Sequence, residues 1–111
     1  MTDAAPITYR VYAIKLRKSI LRNRRFKKAN PEYRRGKPCV YVGSTSLSAE
    51  ERFARHMTGR RSSRVVRNYG KTLFPWAYER EPTFDTRPEA EAHEMALAAR
   101  YRAMGWGVWQ N

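Results

Sequence analysis

Residues 10–37 carry twelve lysines and arginines against one acid, Glu32. Charge at that density cannot enter a core, so these side chains must stay at the surface. The bias continues beyond this stretch, because residues 52–71 add seven more basic side chains and no acid. Over residues 79–94 the sign reverses, with Glu79, Glu81, Asp85, Glu89, Glu91 and Glu94 against Arg80 and Arg87. The whole chain of 111 residues has a net charge of +13. Self-repulsion of that size is relieved by a polyanion, which makes nucleic acid the first partner to consider. An anionic membrane surface ranks second, since it asks for a basic helix with a strong apolar face.

What remains for a core is modest: 41% apolar and 13% aromatic residues, enough for one domain. No apolar run reaches the ~20 residues of a transmembrane helix. The opening MTDAAPITYR lacks the apolar stretch of a signal peptide. The single cysteine, Cys39, excludes an internal disulfide and a multi-cysteine metal cluster and reads as core packing. A free thiol fits a reducing, cytoplasmic setting.

Residues 9–16 (YRVYAIKL) predict a strand with Tyr12, Ile14 and Leu16 on one face and Val11 and Ala13 on the other. Residues 39–43 (CVYVG) predict a second strand, Tyr41 facing opposite to Val40 and Val42. Between them lies a long basic loop or arm over about residues 16–37, in which residues 19–28 could form a short helix. Ser48 and Glu51 form a capping box for a helix whose apolar stripe is Ala49, Phe53 and Met57, with Arg52 and His56 on its flank and Gly59 as its stop. Residues 62–69 suit a short helix before Gly70. Residues 73–80 suit a third strand, with Pro75 marking an edge. Thr86 and Glu89 form a second capping box, opening a helix that runs to about Met104 and stops at Gly105. Its apolar face is Ala90, Leu97, Ala98, Tyr101 and Met104, and Glu94 sits in the middle of that face. His93 lies about 100° around the helix from Glu94 and is peripheral.

A carboxylate on a core-facing stripe is costly unless it pairs with a cation. Glu94 therefore reads either as half of a buried ion pair with an arginine or as a metal ligand. Tyr12 and Tyr41 read as half-buried strand tyrosines or as site residues. Arg52 and His56 read as an exposed helix flank or as part of the same site. A basic surface joined to a carboxylate is the equipment of metal-assisted phosphodiester chemistry, although acids can equally serve to solvate a helix face. No His/Cys spacing suggests zinc, and no glycine-rich loop suggests a nucleotide cradle.

Taken together, these residues resemble the GIY-YIG nuclease superfamily. The first strand carries Arg10-Val11-Tyr12 where the family has GIY, and the second carries Tyr41-Val42-Gly43 for YIG. Ser44-Thr45, then Arg52 and His56 four apart, then Ala90 and Glu94 four apart, and finally Asn111 follow in family order. The spacer between the two strand motifs is longer and more basic than in many relatives. The resemblance implies a small α+β domain spanning residues 1–111, a three-stranded antiparallel sheet flanked by helices. It implies DNA phosphodiester hydrolysis with one Mg²⁺ or Mn²⁺ held by Glu94. In that scheme Tyr12 is the general base, Tyr41 positions the water or phosphate, Arg52 contacts the phosphate, His56 orients Tyr12 or the phosphate, and Asn111 supports the site. A non-catalytic DNA- or RNA-binding module on the same fold is the alternative. With no second domain, specificity falls to this domain, a homodimer or a targeting partner. The nucleic-acid surface is assigned to Lys15, Arg17, Lys18, Arg22, Arg24, Arg25, Lys27, Lys28, Arg34, Arg35 and Lys37, continued by Arg55, Arg60, Arg61, Arg64 and Arg67.

Overall fold

Alternation along the first two strand segments buries both of their faces, which requires covering elements on each side. The computed structural model describes residues 6–59 and 62–110, and in it that requirement is met. Strands β1 (Tyr9–Leu16) and β2 (Cys39–Thr45) pair antiparallel, with Tyr12 opposite Gly43 and Ile14 opposite Tyr41. One sheet face gathers Val11, Ala13, Val40 and Val42 with Leu97, Ala98, Tyr101 and Trp106. The other gathers Tyr12, Ile14, Leu16, Cys39 and Tyr41 with Ile20, Phe26 and Val66. The expected facing of both strands is the observed one, and Cys39 is a buried free thiol.

The helices divide between these faces. α4 (Arg87–Ala103) lies on the first; α1 (Arg24–Ala29), α2 (Ala49–Met57) and α3 (Arg64–Tyr69) supply the second. Both capping boxes form: Ser48 Oγ accepts the Glu51 amide at 3.1 Å and Thr86 Oγ1 the Glu89 amide at 3.4 Å. Gly59 and Gly105 follow α2 and α4 at φ +83° and +86°, a region that side chains with a Cβ rarely occupy.

The fold is α+β, but the sheet is larger than a three-stranded antiparallel one. Among the described residues it has five strands in the order β3-β1-β2-β5, with β4 also on β1. β3 (Gly70–Leu73) and β4 (Thr83–Phe84) pair antiparallel with opposite ends of β1. β5 (Gly107–Gln110) pairs parallel with β2, because α4 carries the chain back along the sheet before β5 begins. The strand expected over residues 73–80 is displaced: β3 ends at Leu73, and Pro75 opens a 3-10 turn, Pro75–Ala77. Proline has no N–H for a ladder and fixes a φ suited to a first helical position.

The basic arm is not a loose loop. It folds into a 3-10 helix over Lys18–Arg22 and then α1, anchored by the buried side chains of Ile20 and Phe26. Asn30 locks it to β5: its Nδ2 donates to the carbonyls of Phe26 and Val108, and its Oδ1 accepts from Val108 N and Arg102 Nε. No described helix is long and apolar enough to cross a membrane.

Candidate active site

Tyr12 sits at the centre of β1, directly across from Gly43. A Cβ at position 43 would lie 2.6 Å from the Tyr12 hydroxyl, so the glycine of Tyr41-Val42-Gly43 is what allows the phenol to pass over β2. Tyr41, on the same face, brings its ring within 6.1 Å of the Tyr12 ring. The His56 ring closes the group, at 6.0 Å from Tyr12 and 5.4 Å, edge-on, from Tyr41.

This corrects the reading of α2. His56 is fully buried, whereas Met57, expected on the apolar stripe, is 48% exposed. Ala49 and Phe53 pack against the core as expected, but His56 takes the inward place expected of Met57 and Arg52 lines the site, because burying an imidazole with both nitrogens satisfied costs little. Met104 of α4 is likewise exposed rather than buried.

The hydrogen bonds of His56 fix its protonation. Ser63 N–H lies 3.0 Å from Nδ1, and a main-chain amide can only donate. Nδ1 is therefore the acceptor, the neutral ring carries its proton on Nε2, and Nε2–H donates to the Tyr12 hydroxyl oxygen at 2.8 Å. Burial, helped by the Arg52 charge, lowers the His56 pKa to about 4, in keeping with a neutral ring. With both nitrogens taken, His56 can orient Tyr12 but has none left for a phosphate. The Tyr12 hydroxyl, receiving from His56, has its own proton to give elsewhere. Burial, reinforced by Tyr41, pushes the Tyr12 pKa up, and the Arg52 guanidinium opposes this. The resting phenol therefore keeps its proton at neutral pH.

Tyr12 and Tyr41 open onto a cleft of about 350 Å³, also lined by Arg52 from α2, Glu94 and Glu91 from α4, and Gln110 from β5. Glu94 is buried, and its partner is a neutral amide rather than an arginine: Gln110 Nε2 donates to Oε2 at 2.9 Å. Burial raises the Glu94 pKa, hydrogen bonds from Gln110 and Ser44 lower it, and the nearby Glu91 charge raises it again. A desolvated carboxylate with a second acid beside it favours a cation. Among the described residues no group of three or more His, Cys, Asp or Glu side chains forms a self-sufficient metal cage. The donors suit a hard, largely hydrated ion such as Mg²⁺, bound through one carboxylate, and not a softer metal with a full protein shell.

A neighbouring cleft of about 230 Å³ shares Ser44, Arg52 and Arg87 with the first and adds Arg55 and the hydroxyl residues Thr45 and Ser46 at the end of β2. Three guanidinium groups and hydroxyls around one hollow suit phosphate oxygens. Tyr12, Tyr41, Arg52 and Glu94 thus come together, with His56 behind Tyr12, while Asn111 lies outside the described residues. Sequence reasoning missed Gln110, Arg87 and Glu91. Gln110 could have been found by extending the alternation of the tail, since it shares a sheet face with Val108. Arg87 is masked in the sequence by the acidic stretch around it. His93 pairs with Glu81 at 2.7 Å, away from the cleft.

The basic side chains are mostly exposed. Arg17, Arg22, Arg24, Arg25, Lys27, Lys28, Arg34, Arg35, Lys37, Arg64 and Arg67 point to the surface, and Arg55 is half-buried. Lys15 is half-buried over the Phe74 ring. Lys18 holds the arm together, donating to the Tyr33 hydroxyl and the Lys37 carbonyl, which leaves it less available to a phosphate. Arg60 and Arg61 lie outside the described residues. Compared with protein-family models, with curated proteins and with solved structures, the chain matches none.

Proposed function

We propose that this chain is a metal-dependent endonuclease that hydrolyses DNA phosphodiester bonds in the manner of the GIY-YIG enzymes. The observation that carries the reading is convergence. A phenol, a guanidinium and a buried carboxylate, drawn from β1, α2 and α4, meet in one cleft on a chain of charge +13. Arg52 is suited to clamp a phosphate oxygen and to hold negative charge as it develops there. Tyr12 is suited to hydrogen-bond the attacking water and take its proton, with His56 Nε2–H and Arg52 favouring the resulting phenolate. Tyr41 lies beside the same space and helps to position water or phosphate. Glu94 would hold a divalent cation, with Mg²⁺ the best fit to an all-oxygen site. Such an ion supplies charge neutralisation at a phosphate. Gln110 and Ser44 hold the Glu94 carboxylate in place.

The protonated state of Tyr12 favours one second reading, a module of the same shape that grips nucleic acid without cutting it. Incubating supercoiled plasmid with the protein and Mg²⁺, beside an EDTA control, separates the two. Metal-dependent nicking supports the nuclease. Tight binding without nicking in Mg²⁺, Mn²⁺ or Co²⁺ transfers the assignment to the binding module.

A further inference from the structure

Outside the clefts already described, a groove of about 460 Å³ runs between α1 and α3. Its aromatic lining is Trp109 and Tyr69, and its sides carry Arg25, Asn23, Arg64 and Asn68. Trp109 is half-buried and lies parallel to the Phe26 ring, with centroids 6.5 Å apart and planes 2° apart, so the indole is backed and held flat. Arg25 and Arg64 are exposed, and nothing acidic lines the groove. An aromatic platform between guanidinium groups, with amides at its edge, is the equipment that holds a single-stranded nucleotide: the ring stacks a base and the arginines take the flanking phosphates.

Register ties this groove to the candidate active site. Trp109 is paired with Tyr41 in the parallel β5–β2 ladder and shares its sheet face. Neighbouring strands lie ~4.8 Å apart. Tyr41, which lines the cleft, and Trp109, which lines the groove, therefore sit side by side on adjacent strands, so one nucleic-acid strand can reach both. In a duplex, the bases are paired and stacked inward and cannot reach such a platform without unpairing.

We propose that the α1–α3 groove is a nucleobase site that takes an unpaired DNA base on Trp109, and that the substrate is single-stranded DNA or a DNA junction with an unpaired strand. This rests on the nucleic-acid reading given above. The test uses fluorescein-labelled oligothymidine and a duplex of equal length, with anisotropy measured in EDTA so that cleavage plays no part. Trp109→Leu should weaken oligothymidine binding by roughly 5- to 150-fold, the range for losing one base stack. Duplex affinity should change less than about twofold, and Trp109→Phe should keep most of the single-strand affinity. Arg64→Gln, an exposed change that spares the core, should flatten the single-strand salt slope by ~0.7. If Trp109→Leu does not fold, the Arg64→Gln slope and the Trp109→Phe affinity still decide. An unchanged slope, or equal losses on single strand and duplex, overturns the base site. Tighter, Trp109-dependent binding of oligouridine overturns the DNA assignment instead, since it makes the strand RNA. Trp109-dependent binding in a protein that never cuts leaves this site standing and refutes only the nuclease.

Discussion

Acid should destabilise this protein through His56. The imidazole is fully buried, with Ser63 N–H on Nδ1 and the Tyr12 hydroxyl on Nε2. Burial and the Arg52 charge lower its pKa from 6.5 to about 4. Below pH 6.5 the unfolded chain binds a proton that the folded chain refuses. Stability is therefore intact above pH 6.5 and falls as the pH drops toward 4, where the folded ring also begins to protonate. At 1.36 kcal/mol per pKa unit this gap amounts to about 3 kcal/mol, a large part of the ~5–15 kcal/mol by which domains are usually stable. His56→Gln removes the titration while keeping one donor and one acceptor in the same space. Urea unfolding followed by tryptophan fluorescence, wild type beside the variant between pH 7 and pH 4, isolates the effect. Other acid-sensitive groups, Glu81 and Glu94 among them, are common to both proteins. The wild type should lose about 3 kcal/mol relative to the variant across that interval. Curves that stay parallel below pH 6.5 would refute the burial and tautomer assigned to His56.

Glu94→Gln should raise the melting temperature at pH 7, since burial raises the carboxyl pKa and the charged form is held at a cost. The gain should fade as the pH falls and the wild-type carboxyl protonates, which a thermal melt across pH detects. Arg52→Ala and Tyr12→Phe should each bind DNA within a few-fold of wild type yet cut ~10²–10³ times more slowly; full cutting by Tyr12→Phe would remove Tyr12 from the chemistry. The quadruple change Arg24, Arg25, Lys27 and Lys28→Ala should flatten the salt dependence of duplex binding by up to ~0.9 per lost phosphate contact. An unchanged slope would show that α1 faces solvent in the complex.

Local signals specify much of this fold. The facing of β1 and β2 followed from strict alternation, and both long-helix starts followed from side-chain caps that need only a four-residue window. The inward place of His56 on α2 could not be read that way. Met57 outranks His56 on hydropathy, and only the Ser63 amide and the Tyr12 hydroxyl, 7 and 44 residues away, make His56 the better buried group. The arm misled for a related reason: its charges hid Ile20, Phe26 and Asn30, whose partners lie in distant strands. β5 is weakly signalled because a parallel edge strand of four residues, Gly107–Gln110, shows only two turns of alternation. Glu94 was legible as an anomaly, but whether it faced an arginine or an amide was decided by Gln110.

In the proposed reading, Glu94, Tyr12 and Arg52 form a metal-dependent cutting site. Single-turnover cleavage of supercoiled plasmid in Mg²⁺, wild type beside Glu94→Gln, with DNA binding measured on the same samples, tests it most directly. The wild type should nick, the variant should cut at least ~10² times more slowly, and the two should bind DNA within a few-fold. A variant that cuts at the wild-type rate, or a wild type that binds but never cuts, would contradict it.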